Sequence, residues 1–270
     1  MIEKKIEHLD LNQICHSGQC FRMSDLGNET YALIAHGRRL AMEQRGTTIL
    51  FDCTEQEFEE LWYSYFDLAT DYAAVKSAVN SEDTYLQNAM LTGSGIRILR
   101  QELWEMIITY IISQRNNIPR IKRCVNFLCE RFGEQKTDSR GELFYTFPQP
   151  EAIAVSTDEV LRECNLGYRS RYVLQTARDV ADGVFDLRYL SGLPYEEARE
   201  ELLRLHGVGN KVAECICLFA LHHVEAFPID THIQQMLQEN YPQGFPFEAY
   251  AGYAGILQQY AFYYELNRRL

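Results

Sequence analysis

Between residues 31 and 51 apolar positions alternate with polar ones: Tyr31, Leu33 and Ala35, then Leu40 and Met42, then Ile49 and Phe51. A period of two puts each set on one face of a strand. His36-Gly37 and Arg45-Gly46 supply turn residues between the runs, so this stretch predicts a small antiparallel sheet. From about Thr54 strand signals fade and helical spacing takes over, in 55–66, in 71–79 and in the nearly all-apolar Leu103–Ser113, which predicts a buried central helix. Further helices are expected from Ile118 to a stop at Gly133, from Asp158 to Cys164, from Arg169 to a stop at Gly183, over 196–204 and over 211–221. The fold class is therefore α+β: a small N-terminal antiparallel β domain, 1–80, packed on a mainly α-helical domain, 81–270.

Composition adds little to this picture. With 46% hydrophobic and 24% charged residues the chain has ordinary globular values, which exclude a disordered or collagen-like protein. No run of 18 uncharged apolar residues occurs, and Met1-Ile2-Glu3-Lys4-Lys5-Ile6 lacks an apolar signal core, so a cytoplasmic protein without membrane contact is expected. The eight cysteines follow no stapled pattern, which favours free thiols.

Charge changes the picture more. A formal net charge of −12 opposes polyanion binding by the molecule as a whole. Much of the acid, however, falls in the runs 55–60 and 196–201, whereas Arg115, Arg120, Lys122, Arg123, Arg169, Arg171 and Lys211 lie near the segments that carry candidate chemistry. Any contact with DNA is expected to be local and salt-sensitive.

The first of those segments is Leu205-His206-Gly207-Val208-Gly209-Asn210-Lys211, between two amphipathic helices. Its glycines can take positive φ and bring bare backbone close to a ligand, and the helix that starts there offers N–H groups and a positive dipole end to a phosphate. A plain helix–turn–helix explains the same two glycines. A dinucleotide loop does not, because position 212 is valine and no strand precedes the turn. Lys211 stands in the first helical turn, where a cation is disfavoured, and an apolar run follows it. A lysine held partly neutral can act as a nucleophile, although a lysine at a helix start is ordinarily a solvated surface residue. Nineteen residues on, Phe227-Pro228-Ile229-Asp230-Thr231-His232 leads into another helix with Asp230 placed as its N-cap. Taken alone Asp230 is a cap and His232 a polar residue of the first turn.

Together, Gly207-Val208-Gly209-Asn210-Lys211-Val212-Ala213-Glu214-Cys215 and Pro228-Ile229-Asp230-Thr231-His232 resemble the helix-hairpin-helix glycosylase superfamily, and within it the 8-oxoguanine DNA glycosylase family. The likeness extends to Ser17-Gly18-Gln19-Cys20-Phe21-Arg22, to the segment from Gly95 to Gln101, to Asn116-Asn117-Ile118-Pro119-Arg120-Ile121 and to the segment from Leu166 to Tyr172. It implies a bifunctional DNA glycosylase and abasic-site lyase. The enzyme would flip 8-oxoguanine, or a formamidopyrimidine, out of duplex DNA. Lys211 would attack the deoxyribose C1′ and Asp230 would stabilise positive charge on the sugar. The Schiff base that forms would then allow β-elimination.

The resemblance also distributes the remaining roles. The carbonyl of Gly18 would accept from the N7–H that oxidised guanine has and guanine lacks, and Cys215 would pack on one ring face. Gln258 and Phe262, four apart on the C-terminal helix, would bond the base edge and stack on the other face. Tyr250-Ala251-Gly252-Tyr253 allows a second register that puts Gly255 and Gln259 there instead. Asn116, Asn117, Arg120, Tyr168 and Arg169 would read the opposite cytosine and wedge the stack. Arg115 stands where family members have a third asparagine, which weakens the expected preference for cytosine. Gly207, Gly209 and His232 would meet DNA phosphate.

The partner implied is double-stranded DNA containing oxidised guanine, bound by a monomer. No cofactor and no metal are expected: the chain has no cysteine after Cys217 for an iron–sulfur cluster, and Cys215 and Cys217 point to nearly opposite sides of a helix. Two other readings remain open at this stage, a monofunctional alkyl-base glycosylase that uses Asp230 and water, and a hairpin module that only binds DNA.

Overall fold

The computed structural model describes residues 1–268. Strands β1 (Ile2–Lys5), β2 (Met23–Gly27), β3 (Thr30–Ala35), β4 (Arg38–Arg45) and β5 (Thr48–Phe51) form an antiparallel sheet in the order β1-β5-β4-β3-β2. The three central strands lie where the alternation puts them. Ala35 pairs with Arg38 across His36 and Gly37, whose φ values of 51° and 66° give the tight hairpin its left-handed turn. The edge strands β1 and β2 escape the pattern because charged and polar side chains fill them, as suits strands that must not pair with another chain.

Against the sheet lie the helix Leu11–His16, capped by Asp10, and the helical stretch 55–65. Hydrophobic spacing predicts one helix over that stretch, but a π turn at Phe58–Trp62 interrupts it. Phe58, Trp62, Tyr65 and Phe66 are all buried there, packed in one cluster with Leu33, Ile49 and Phe51. A second, larger cluster surrounds the helix Leu103–Ser113, in which every residue from Glu105 to Ile112 is buried. The helices Ile118–Phe132, Arg169–Ala181 and Asn210–Phe219 pack directly on it. Cutting a side chain such as Ile111 back to alanine in that setting costs about 2–5 kcal/mol.

The helical half is not wholly helical. Strands β6 (Gln135–Thr137) and β7 (Leu143–Tyr145) form a hairpin that strand periodicity misses, since three-residue, mostly exposed strands show no alternation. The helices Pro150–Ala154 and Leu187–Ser191, of five residues each, are likewise too short for a clear helical period, and Thr84–Thr92 buries only Leu86 and Ala89.

A strap over residues 93–102 joins the two clusters through hydrogen bonds. Gln19 accepts from the Leu99 N–H (2.9 Å) and donates to the Arg97 carbonyl (2.9 Å), while Gln101 donates to the Gln19 carbonyl (2.8 Å). The buried Arg97 guanidinium donates to the carbonyls of Glu7, His8, Asp67 and Thr70. These bonds hold the Ser17-Gly18-Gln19 turn against the helical half. No helix among the described residues is long and apolar enough to cross a membrane.

Candidate active site

The helices Tyr195–Leu202 and Asn210–Phe219 form the hairpin. Gly207, at φ 85°, lies against Tyr172 so closely that a Cβ would stand 2.5 Å from its ring. No other residue fits without moving that ring. Gly209 is the N-cap of the second helix, with open space where its Cβ would be. Lys211 is therefore in the first turn, its Nζ 5.4 Å from the centre of the Tyr110 ring.

Asp230 caps the helix Thr231–Asn240, as its position in the sequence predicts. Its Oδ1 accepts from the N–H groups of His232 (3.0 Å) and Ile233 (2.9 Å). Both capping bonds fall on one carboxylate oxygen. Lys211 and Asp230 line a common pocket with Gly18, Cys215, Gln258 and Phe262. Tyr110, Phe219, Pro228 and Gln259 complete its walls.

The pocket is apolar apart from a few polar groups. Tyr110 stacks on Phe219, with ring centres 5.8 Å apart and planes 15° apart. Burial pushes the Cys215 thiol up, while the neighbouring Lys211 pulls it the other way, so Cys215 presents a neutral, polarizable surface. Gln258 donates through Nε2 to the Pro228 carbonyl (2.8 Å), and its buried Oε1 has no hydrogen-bond partner. An acceptor is thus on offer to any donor that enters. Gln259 donates to the Ser17 carbonyl (2.8 Å), which ties the Gly18 turn to the C-terminal helix Ala254–Arg268.

The two registers of the C-terminal helix put different residues at the pocket: Gln258, Gln259 and Phe262 line it and Gly255 does not. A Cβ on Gly255 would stand 2.6 Å from both the Ala226 carbonyl oxygen and Leu218, so that residue is pressed against backbone outside the pocket. Gln258 and Phe262 both line the pocket. The Phe262 ring stands against Gly18 at its wall, and the room inside is about 40 Å³, enough for a few waters and not for a purine ring.

The residues expected opposite a flipped base gather at the turn before the helix Ile118–Phe132. Asn117 caps that helix, accepting from the Arg120 N–H (3.0 Å), and Asn116 donates to the Ile112 carbonyl (3.2 Å). Arg169 is buried and donates to the carbonyls of Gln114 (2.8 Å), Arg115 (3.0 Å) and Leu166 (3.2 Å). Tyr168 is 46% exposed and carries the Arg169 guanidinium 4.7 Å from its ring centre. Arg120 is also exposed. His232 packs edge-on to Phe262 at 6.1 Å, with a buried Nδ1 that has no hydrogen-bond partner.

Sequence reasoning missed Tyr110 and Phe219. Tyr110 is hidden within an apolar run, but Lys211, Cys215 and Phe219 recur every four residues, a spacing that puts all three on one helix face. A larger cleft of about 570 Å³ lies elsewhere, between the β3–β4 turn and the segment 146–152. Glu102, Glu105, Glu134 and Glu151 line it, which makes it a poor place for a polyanion. Among the described residues no group of three or more His, Cys, Asp or Glu is placed to hold a metal ion.

A lysine at a hairpin helix start and a capping aspartate on the next helix thus share one aromatic-walled pocket. The chain belongs to the HhH-GPD superfamily of base excision DNA repair proteins, whose family model matches residues 108–242, and residues 1–107 match that of the 8-oxoguanine DNA glycosylase N-terminal domain. It is 40% identical over 164 residues to the N-glycosylase/DNA lyase of Saccharomyces cerevisiae, covering 57% of this chain and 44% of the relative. It is 33% identical over 181 residues to the probable N-glycosylase/DNA lyase of Methanothermobacter thermautotrophicus, covering 60% and 57%. The match thus spans about half the length of these curated relatives. The Clostridium acetobutylicum 8-oxoguanine glycosylase/lyase, solved with double-stranded DNA containing cytosine opposite 8-oxoguanine, superposes with a TM-score of 0.91 at 32% identity, covering 100% of this chain and 98% of that one.

Proposed function

We propose that the protein is a bifunctional glycosylase and abasic-site lyase that removes 8-oxoguanine from duplex DNA. The observation that carries this reading is the convergence of Lys211 and Asp230 in one pocket with Gly18, Cys215, Gln258 and Phe262. An amine, a carboxylate and apolar walls on which a base can stack are what a reaction at C1′ requires.

In the proposed reaction the base is flipped into the pocket between Cys215 and Phe262 once the phenyl ring swings aside. The Gln258 acceptor suits the N–H groups on a guanine's pairing edge and would oppose the acceptor N1 of adenine. The Lys211 amine attacks C1′ as the C1′–N9 bond breaks; the bonding pair leaves with the base and the amine loses a proton. Asp230 offsets the positive charge that develops on the sugar. The nitrogen lone pair then forms a C1′–nitrogen double bond as the C1′–O4′ bond opens and O4′ takes up a proton; the iminium acidifies C2′, and loss of that proton expels the 3′ phosphate. Open space beside Gly209 supports a close approach of the DNA backbone to the helix start. The reaction would take place on chromosomal DNA, which in a cell without a nucleus means in the cytoplasm.

The test is a panel of single-lesion duplexes with base release and strand nicking scored separately. Release of 8-oxoguanine together with nicking supports the proposal. Release of alkylated bases without nicking would favour the monofunctional reading, and binding without any release would favour a DNA-binding module.

A further inference from the structure

Glu214 is on the same helix as Lys211, yet it does not line the base pocket. It is 9% exposed, and its carboxylate is surrounded by donors from three directions. The Tyr195 hydroxyl donates to both oxygens (2.8 and 2.9 Å), Arg199 Nε to Oε1 (2.7 Å), and the buried N–H of Phe227 to Oε2 (2.9 Å). Tyr195 and Arg199 are four apart on the first hairpin helix, so they reach Glu214 from one face. Arg199 also donates to Asn210 Oδ1 (3.2 Å), one residue before Lys211.

Phe227 begins the short passage that ends at Asp230. Pro228 has no N–H, and its carbonyl is held by Gln258 (2.8 Å). The backbone between the lysine helix and Asp230 is therefore pinned at two successive residues, by Glu214 at Phe227 and by Gln258 at Pro228. A buried carboxylate is a costly way to fill a helix position, and an apolar side chain would leave the buried Phe227 N–H without its acceptor and the Arg199 cation without its counter-charge.

We propose that Glu214 is a positioning residue, which fixes the loop carrying Asp230 against the helix carrying Lys211. This rests on the reading that those two residues perform the chemistry. Glu214 touches neither base nor sugar in that arrangement. It sets the distance and angle between two groups on different elements, and misplacement on the order of 1 Å can cost about 10²-fold in rate. The effect falls on base release, where Asp230 and Lys211 must act together. Attack of Lys211 on an abasic site that already exists needs the carboxylate far less.

The test uses the full chain in wild-type form and as Glu214→Ala, Glu214→Gln and Tyr195→Phe. Single-turnover release of 8-oxoguanine is measured beside borohydride trapping on a preformed abasic duplex. The trapping amplitude counts the competent molecules in each preparation, so partial unfolding does not imitate the effect. Glu214→Ala should slow base release at least about tenfold while its trapping rate changes about threefold or less, the first being roughly 1.4 kcal/mol in the barrier. Glu214→Gln, which keeps an acceptor for Phe227, should recover part of the loss. Tyr195→Phe, which leaves the Phe227 bond intact, should release base at nearly the wild-type rate. If Glu214→Ala proves unfolded, the Glu214→Gln ratio of release to trapping is decisive by itself, and it must fall. Equal losses in both steps, or an unchanged ratio, would overturn the assignment. A wild-type protein that neither releases base nor traps would instead sink the reading on which it rests.

Discussion

The Phe262 ring closes over Gly18 so tightly that a Cβ on residue 18 would stand 3.1 Å from its Cε1, and 3.2 Å from Ile118 on the other side. Gly18 also has φ 76°, a conformation that costs other L-residues roughly 1–2 kcal/mol. Gly18→Ala should therefore destabilise the fold by about that amount and reduce base release further, because the added methyl group occupies the pocket. Gly209→Ala is the contrast. With open space at its Cβ position, it should leave stability within about 0.5 kcal/mol and weaken DNA binding instead. Thermal unfolding and duplex titration of both variants check this pair, and equal destabilisation by the two would contradict it.

Phe262→Ala should weaken binding to an 8-oxoguanine duplex by about 1–3 kcal/mol, the usual worth of base stacking on an aromatic ring. Binding to an abasic duplex should change little, since nothing is left to stack. Equal losses on the two duplexes would make Phe262 a core residue.

Much of this arrangement is legible in the amino-acid sequence, and what is not legible has physical causes. Strands β3 to β5 and the helix Leu103–Ser113 announce themselves because burial imposes a period on their apolar residues. Asp230 was readable as a cap because the capping geometry is local. Edge strand β1 has only one apolar residue in four and β2 only Met23 and Leu26 in five, too few to show a period, and the π turn at Phe58–Trp62 leaves no mark in the apolar spacing. The register of the C-terminal helix could not be read from spacing, because Gly255 and Gln259 repeat the same interval of four as Gln258 and Phe262. Side-chain chemistry favours Gln258 and Phe262, since a glycine and a glutamine offer no stacking ring, and the pressure of Gly255 on the Ala226 carbonyl agrees with it. The tie from Glu214 to Phe227 crosses between separate elements and leaves no local signature.

Glu105 offers a test of the interior by pH. Burial pushes its carboxyl up to about 7, against the pull of Arg22 beside it. Folding thus favours the protonated form. Its contribution is fully present below the ordinary glutamate range near 4.5 and is lost as pH rises towards 7. The stability of Glu105→Gln relative to wild type should accordingly rise between pH 4.5 and 7 and level off above. Urea denaturation of both proteins at pH 5, 6, 7 and 8 measures it, and a pH-independent difference would contradict the assignment.

The opposite-base turn predicts only a moderate preference for cytosine. Asn116, Asn117 and Arg169 are engaged with their own backbone, and Arg115 stands in place of an asparagine. Single-turnover excision opposite each of the four bases should show cytosine favoured and adenine slower but measurable. An immeasurably small rate opposite adenine would mean that discrimination survives the change at Arg115.

If the Lys211 amine attacks C1′, borohydride must capture the resulting imine. Borohydride added while wild-type protein reacts with an 8-oxoguanine duplex should reduce the Schiff base and leave a covalent protein–DNA adduct. Lys211→Gln, which preserves length and polarity, should fold and bind the lesion but form no adduct and release no base. Asp230→Asn should slow release strongly while retaining some trapping on a preformed abasic site. An undiminished adduct in Lys211→Gln would place the nucleophile elsewhere, and brisk base release by wild type without any adduct would contradict the account.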